Sequence, residues 1–436
     1  MITAQEFARR RRDLMATLTK NSIAILTAAP EQVRSRDTYF PYRQDSNFFY
    51  LTGFHEPEAV LVLIPKRPQG QFILFCRERD RSREIWDGRR AGPEGAREQY
   101  GADDAFPIDD IDEILPGLLE GRDRVYYALG RNRTFDTRLL DWIDGIRARA
   151  RSGAVPPDEF VDLDHLLHEA RLFKTATELK VMRKAGAISA RAHCRAMRAA
   201  RPGLYEYQLQ AEIEHAFASE GARHPAYGSI VGGGANACVL HYVENSASLQ
   251  DGDLVLIDAG CELEHYAADI TRTFPVNGKF SAPQQALYEV VLAAQLAAIE
   301  AARAGNHWDE PHRVTVKIIT QGLVDLGLLK GNVEDLIARN AYTDFYMHRA
   351  GHWLGMDVHD VGDYKVDNEW RLLEPGMVMT VEPGIYVAPD NRKVAKKWRG
   401  IGIRIEDDVA ITRKGPEVLT AGVPKTVADI ERLMAP

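Results

Sequence analysis

Four acidic residues stand in runs that otherwise read as buried strands. Asp258 closes LVLID, Asp269 opens DITRTF, Glu382 follows VMTV and Glu406 follows IGIRI. A buried carboxylate is costly unless it is paired or holds a cation. One such residue in a domain is unremarkable, but four in four strands require a shared explanation. Pairing with neighbouring arginines is one account. Alternation along a strand leaves Arg404 and Glu406 able to touch, yet turns Arg272, three residues on, away from Asp269. A metal centre is the other account. Asp258 and Asp269 are eleven residues apart, a length that lets adjacent antiparallel strands set two carboxylates side by side. Four carboxylates would balance two divalent cations. With one histidine added, the oxygen-rich set suits manganese, with cobalt or zinc as alternatives.

Three of the thirteen histidines fall in HRAGHWLGMDVHD, as His348, His352 and His359. Imidazole serves as metal ligand or proton carrier, and it also fills cores. The spacing alone leaves all three readings open.

At 436 residues the chain exceeds one ordinary core, so two domains of unequal size are expected. Over residues 1–172, helical patterns alternate with β-rich runs such as AVLVLIP, QFILFC and RVYYALG, which predicts an α/β domain. Residues 173–436 begin with a long helix capped near Thr175-Ala-Thr177-Glu178 and turn strand-rich beyond about Ser219. There DLVLIDAGCEL and ADITRTFPV form one strand pair, GMVMTVEPGIYV and GIGIRIEDDVAIT another, with a helix between the pairs. Helices and antiparallel strands in blocks predict an α+β fold.

The net charge of −8 argues against nucleic acid as a partner, and no apolar run reaches the length of a membrane span. Four cysteines without CxxC spacing fit a reducing cytoplasm. The run Arg9–Arg12 is followed by no apolar segment, and TAQE at residues 3–6 is a helix capping box. The run therefore reads as one basic face of a surface helix.

Taken in order, IDAG, DITRTF, HRAGHWLG, VEPGIY and GIRIED resemble the pita-bread metallopeptidases, which include methionine aminopeptidases, prolidases and aminopeptidases P. Residues 36–63 (RDTYFPYRQDSNFFYLTGFHEPEAVLVL) and EIWDGRR at 84–90 are similar to the N-terminal domain of bacterial aminopeptidases P. The resemblance spans nearly the whole chain. It implies a C-terminal pita-bread (creatinase/aminopeptidase) catalytic domain with a smaller N-terminal α/β creatinase-like domain. It implies two divalent metal ions held by Asp258, Asp269, His352, Glu382 and Glu406, with Asp269 and Glu406 bridging. By the same resemblance Glu382 is the general base, while His359 and His241, in CVLHYVEN, contact the substrate from opposite sides. His348 would support His352. Asp37, Tyr386 and Arg404 would form a polar relay, and Trp86 would pack on a proline ring.

The implied activity is removal of the first residue from peptides with proline in second position. That bond needs its own enzyme, because proline lacks an N–H and its ring fixes the backbone. A prolidase confined to dipeptides and a non-catalytic peptide-binding protein are the alternatives. The resemblance also implies a homo-oligomer, tetramer or dimer. One position departs from the pattern: Arg349 stands where glycine usually follows the first histidine.

Overall fold

The computed structural model describes residues 2–435. The chain forms two compact units, one spanning Ile2–Ala170 and the other beginning at Arg171. In the first, one mixed sheet holds β1 (Ser22–Thr27), β2 (Val60–Leu63), β3 (Phe72–Cys76), β4 (Asp104–Pro107), β5 (Arg124–Tyr126) and β6 (Glu159–Val161). Their order is β4-β3-β2-β1-β5-β6, with β1 parallel to β5 and antiparallel to β2. Every residue of VLVL and FILFC is buried. Strands covered on both faces carry unbroken apolar runs rather than alternations. Of the helices, α1 covers Ala4–Thr17, α2 Ile111–Leu119 and α3 Arg133–Ala148. Ile111, Leu115, Leu139 and Ile143 from α2 and α3 join Val62 and Phe75 in the core.

The arginine run of α1 is not a solvated face. Arg10 and Arg11 are buried and donate to the carbonyls of Tyr50 (3.0 Å) and Leu51 (2.7 Å). Their guanidinium groups lie 4.1 Å from the Tyr50 ring and 4.0 Å from the Phe72 ring. Carbonyls in the last turn of a helix lack intrahelical donors, and the two arginines supply them to the short helix Ser46–Thr52. Thr3 does cap α1, accepting from the Glu6 amide, while the Glu6 carboxylate also pairs with Arg9.

The second unit opens with α4 (Ala176–Ala199), started by a capping box between Thr175 and Glu178, and α5 (Glu206–Ser219). Strands β7 (Ile230–Gly233), β8 (Leu254–Asp258) and β9 (Thr271–Pro275) form an antiparallel sheet in that order. Helices α6 (Ala282–Ala301) and α7 (Glu310–Asp325) lie against each other. Then follow β10 (Val378–Val381), β11 (Gly384–Tyr386), β12 (Gly402–Arg404), β13 (Asp407–Thr412) and β14 (Gly415–Val418). β10 pairs with β13 and β13 with β14, while β11 pairs with β12.

Only one of the four anomalous carboxylates lies within a strand. Asp258 is the last residue of β8, opposite Thr271 of β9. Asp269 precedes β9 by two residues, Glu382 falls between β10 and β11, and Glu406 falls between β12 and β13. Pro383 follows Glu382 and cannot donate to a ladder. Strict alternation would send neighbouring side chains to opposite faces, and these breaks let several converge on one point.

Among the described residues, no helix is long and apolar enough to cross a membrane. The four cysteines are free.

Candidate metal centre

The segment 348–355 is laid along the edge of β10. The Thr380 amide donates to the His352 carbonyl (2.9 Å), the Leu354 amide to the Val378 carbonyl (3.0 Å), and the Glu382 amide to the Ala350 carbonyl (2.8 Å). Gly351 makes this approach possible, since a Cβ there would lie 2.0 Å from the Thr380 carbonyl oxygen. From the other side, the Glu406 amide donates to the Thr271 carbonyl (3.0 Å). The result is a cavity of about 510 Å³ lined by Asp258, Asp269, His352, Glu382, Glu406, His241, His348, His359, Arg349, Arg404 and Tyr227, among others. A larger groove, about 740 Å³, opens along α6 and α7, but its lining holds no histidine and no converging carboxylate set.

Ligand atoms of Asp269, His352 and Glu406 lie within 4.8 Å of one another. His352 Nε2 is 3.5 Å from Asp269 Oδ2 and 3.7 Å from Glu382 Oε1. Its Nδ1 faces the Trp353 carbonyl at 2.9 Å. A carbonyl only accepts, so Nδ1 carries a proton there and Nε2 is the nitrogen turned to the carboxylates.

The carboxylates of the cavity crowd one another. Burial, then the charges of Asp269 and Glu382, holds the Glu406 carboxyl well above its ordinary range. Burial pushes Glu382 up to about 7 and also raises Asp269, where the charge of Asp258 adds to it. Burial disfavours a charged His352, but the hydrogen bond to Asp269 and the charge of Glu382 outweigh it and raise the imidazole to about 9. Arg404 reaches one member of the cluster, its Nη2 2.6 Å from Asp258 Oδ2. Four carboxylates and one imidazole nitrogen, crowded around one cavity, are the donor set a hard or borderline divalent cation satisfies. The residues present therefore fit the metals that the carboxylates pointed to.

A hydrogen-bonded chain leads away from the cluster. Arg404 Nη1 donates to the Tyr386 hydroxyl (2.9 Å), which lies 2.9 Å from His348 Nε2. His348 Nδ1 faces the Arg349 carbonyl at 2.7 Å, which leaves Nε2 to accept from Tyr386. His348 is thus tied to Tyr386, not to His352. His359 meets the His352 ring edge-on, with centroids 4.3 Å apart, and His241 lines the cavity with its residue exposed. Asp37 and Trp86 belong to the unit Ile2–Ala170. Asp37 lies in the exposed turn between the short strands Val33–Ser35 and Thr38–Tyr39, and Trp86 is 85% exposed on the helix Arg81–Asp87.

Several participants escaped the sequence reading. The Tyr227 hydroxyl lies 2.6 Å from Asp258 Oδ1 and 2.5 Å from Asp269 Oδ1. Burial, reinforced by both carboxylates, keeps this phenol far above its usual range and so neutral. Thr271 Oγ1 donates to Glu406 Oε2 (2.6 Å) and accepts from Arg404 Nε (3.1 Å). Arg272 does turn from Asp269 and pairs instead with buried Asp407 at 2.7 Å. Asp408 accepts the Asp269 amide at 3.1 Å. The run EDD at 406–408 is the visible signal for Asp407 and Asp408 in the sequence.

Residues 180–413 match metallopeptidase family M24, and residues 7–126 match the aminopeptidase P N-terminal domain. The chain belongs to metallopeptidase family M24, a family of hydrolases, with the two-domain architecture these matches define. Among individual relatives, the Xaa-Pro aminopeptidase of Escherichia coli (strain K12) is 50% identical over 434 residues, covering 99% of this chain and 98% of that protein. The solved structure of Pseudomonas aeruginosa aminopeptidase PepP is 67% identical with a TM-score of 0.99, covering 100% of this chain and 99% of that one. The human Xaa-Pro dipeptidase is 35% identical over 476 residues, covering 98% of this chain and 93% of that protein.

Proposed function

We propose that the chain is a Xaa-Pro aminopeptidase that releases the first residue from peptides with proline second, using two divalent ions, manganese in the cell. The observation that carries this is the convergence of Asp258, Asp269, His352, Glu382 and Glu406 on one cavity, in which Arg404 pairs with Asp258 alone of the four carboxylates. These five residues would hold the ions. When bound, such ions acidify water and polarise a carbonyl.

The protein's own groups do the rest. Glu382, beside His352 on the cavity wall, would take a proton at a carboxylate oxygen and return it. His359 and His241, both lining the cavity, would donate to the substrate carbonyl as negative charge develops on its oxygen. The leaving prolyl nitrogen has no hydrogen of its own and would receive the proton that Glu382 returns. The hydroxyl of Tyr386, held between Arg404 and His348, fixes the orientation of the donors along that wall. Roles for Asp37 in the relay and for Trp86 against the proline ring are proposed from the resemblance alone, as are a homo-oligomer (tetramer or dimer) and a cytoplasmic location.

A panel of peptides with and without proline second tests this reading after metal removal and again after manganese is restored. We expect restored cleavage of dipeptides, tripeptides and longer chains when proline is second. Cleavage of dipeptides alone would make the protein a prolidase.

A further inference from the structure

Arg349 lines the same cavity as Glu382, His348 and His352. Its guanidinium carbon lies 4.6 Å from the centre of the Trp370 ring. Trp370 is a firm platform. It sits in the strand pair Lys365–Val366 and Glu369–Trp370, its carbonyl faces His307 Nδ1 at 2.7 Å, and its ring packs on the core that contains Trp308 and Trp353. Lys365 Nζ lies 4.6 Å from the same ring. Among the described residues Arg349 forms no ion pair and no side-chain hydrogen bond, and it is exposed. Its charge is therefore placed but not neutralised.

The substrate of an aminopeptidase has two electrical ends. Its free ammonium belongs with the carboxylates and the metals, and an uncompensated arginine is the wrong sign for that end. A guanidinium lying on an aromatic ring keeps its edge donors free, and two of these match the oxygens of a carboxylate. We propose that Arg349, seated on Trp370, forms a carboxylate subsite that reads negative charge on the C-terminal side of the substrate's proline. The charge is either the terminal carboxylate of a short peptide or an acidic side chain in a longer one. The inference rests on the Xaa-Pro aminopeptidase reading and names the substrates that reading would favour.

The test compares kcat/KM in the manganese-loaded protein for Ala-Pro-Leu and its C-terminal amide. A second arm compares longer amidated peptides carrying Glu or Gln at the third position. The wild-type protein should favour the free acid over the amide by roughly tenfold, the usual yield of one charge-assisted hydrogen-bonded pair. In Arg349→Gln that ratio should fall to near one. In Arg349→Lys, which keeps the charge without the planar fork, it should be intermediate, and Trp370→Leu should lower it by removing the platform. A response in the first arm alone assigns the terminal carboxylate, and a response in the second extends the subsite to acidic side chains. Acid-to-amide and Glu-to-Gln ratios that are the same in wild type and Arg349→Gln would overturn the subsite while leaving the aminopeptidase intact. If the wild-type protein cleaved no peptide with proline second, the parent reading would fall and the subsite with it.

Discussion

Glu406 concentrates the electrostatic problem of the site in one side chain. It is buried among Asp269, Glu382 and Asp258, and Thr271 donates a hydroxyl to it. In the metal-free protein, burial and like charges favour its neutral form, whereas a divalent cation would favour the ionised one. Opposite consequences follow for one substitution. Glu406→Gln should raise the thermal midpoint of the metal-free protein and abolish the further rise on adding manganese. It should also lower kcat by about a thousandfold, the kinetic equivalent of several kcal/mol of charge stabilisation. Calorimetric scans with and without metal, beside single-substrate kinetics, check both arms; an unchanged rise with manganese would remove Glu406 from the ligand set.

At the scale of elements, the site depends on a loop pressed against a strand and on what pins that loop. Gly351→Ala would drive a Cβ into the Thr380 carbonyl, whose strand cannot yield freely. We expect a loss of about 1–3 kcal/mol in denaturant melts and weaker metal uptake, because His352 rides on that pairing. The far end of the loop is pinned by Asp360, next to His359 in sequence. Asp360 is buried between Arg171 (2.5 Å) and Lys174 (2.9 Å). Burial opposes its ionisation, but the two cations outweigh this and hold the carboxyl below its usual range. A depressed pKa contributes stability that is complete above the unfolded value, about 4, and fades as pH falls through the folded one. Asp360→Asn should therefore cost about 3–5 kcal/mol at neutral pH, with the gap from wild type closing below about pH 4 in urea midpoints. A gap that stayed constant with pH would assign the cost to shape rather than charge.

The same elements mark what was legible in the sequence. Strand interiors such as VLVL and FILFC stand out as unbroken apolar runs, and Asp258 at the end of LVLID and Glu406 after IGIRI stand out because charge and apolar surroundings conflict. The break at Glu406 does not, since a pattern reading assumes that alternation continues until a turn signal stops it, whereas the break at Glu382 is marked by Pro383-Gly384. Tyr227 gave no sign at all: its carboxylate partners lie 31 and 42 residues away, and nothing around it has a helical or strand period to interrupt. Arg10 and Arg11 misled for a related reason. Charge predicts exposure until a tertiary neighbour offers bare carbonyls, and that neighbour is 40 residues off.

For the whole molecule, the metal is a ligand of the folded state. A cation bound a hundredfold above its dissociation constant adds about 2.7 kcal/mol to stability. The thermal midpoint should therefore climb with manganese concentration well past the point where activity saturates. A chelator should lower it reversibly, and a midpoint indifferent to metal would show that the carboxylates are satisfied without one.

The run Glu406-Asp407-Asp408 has a consequence for evolvability. Three successive side chains serve three different masters: the cavity, the Arg272 ion pair and the Asp269 amide. No one of them can drift without disturbing a neighbour one bond away, so a deep mutational scan should find this triplet almost frozen. Arg349, exposed and resting on a ring, is under no such constraint. New substrate preferences should arise there, at the rim, while the floor of the cavity stays as it is.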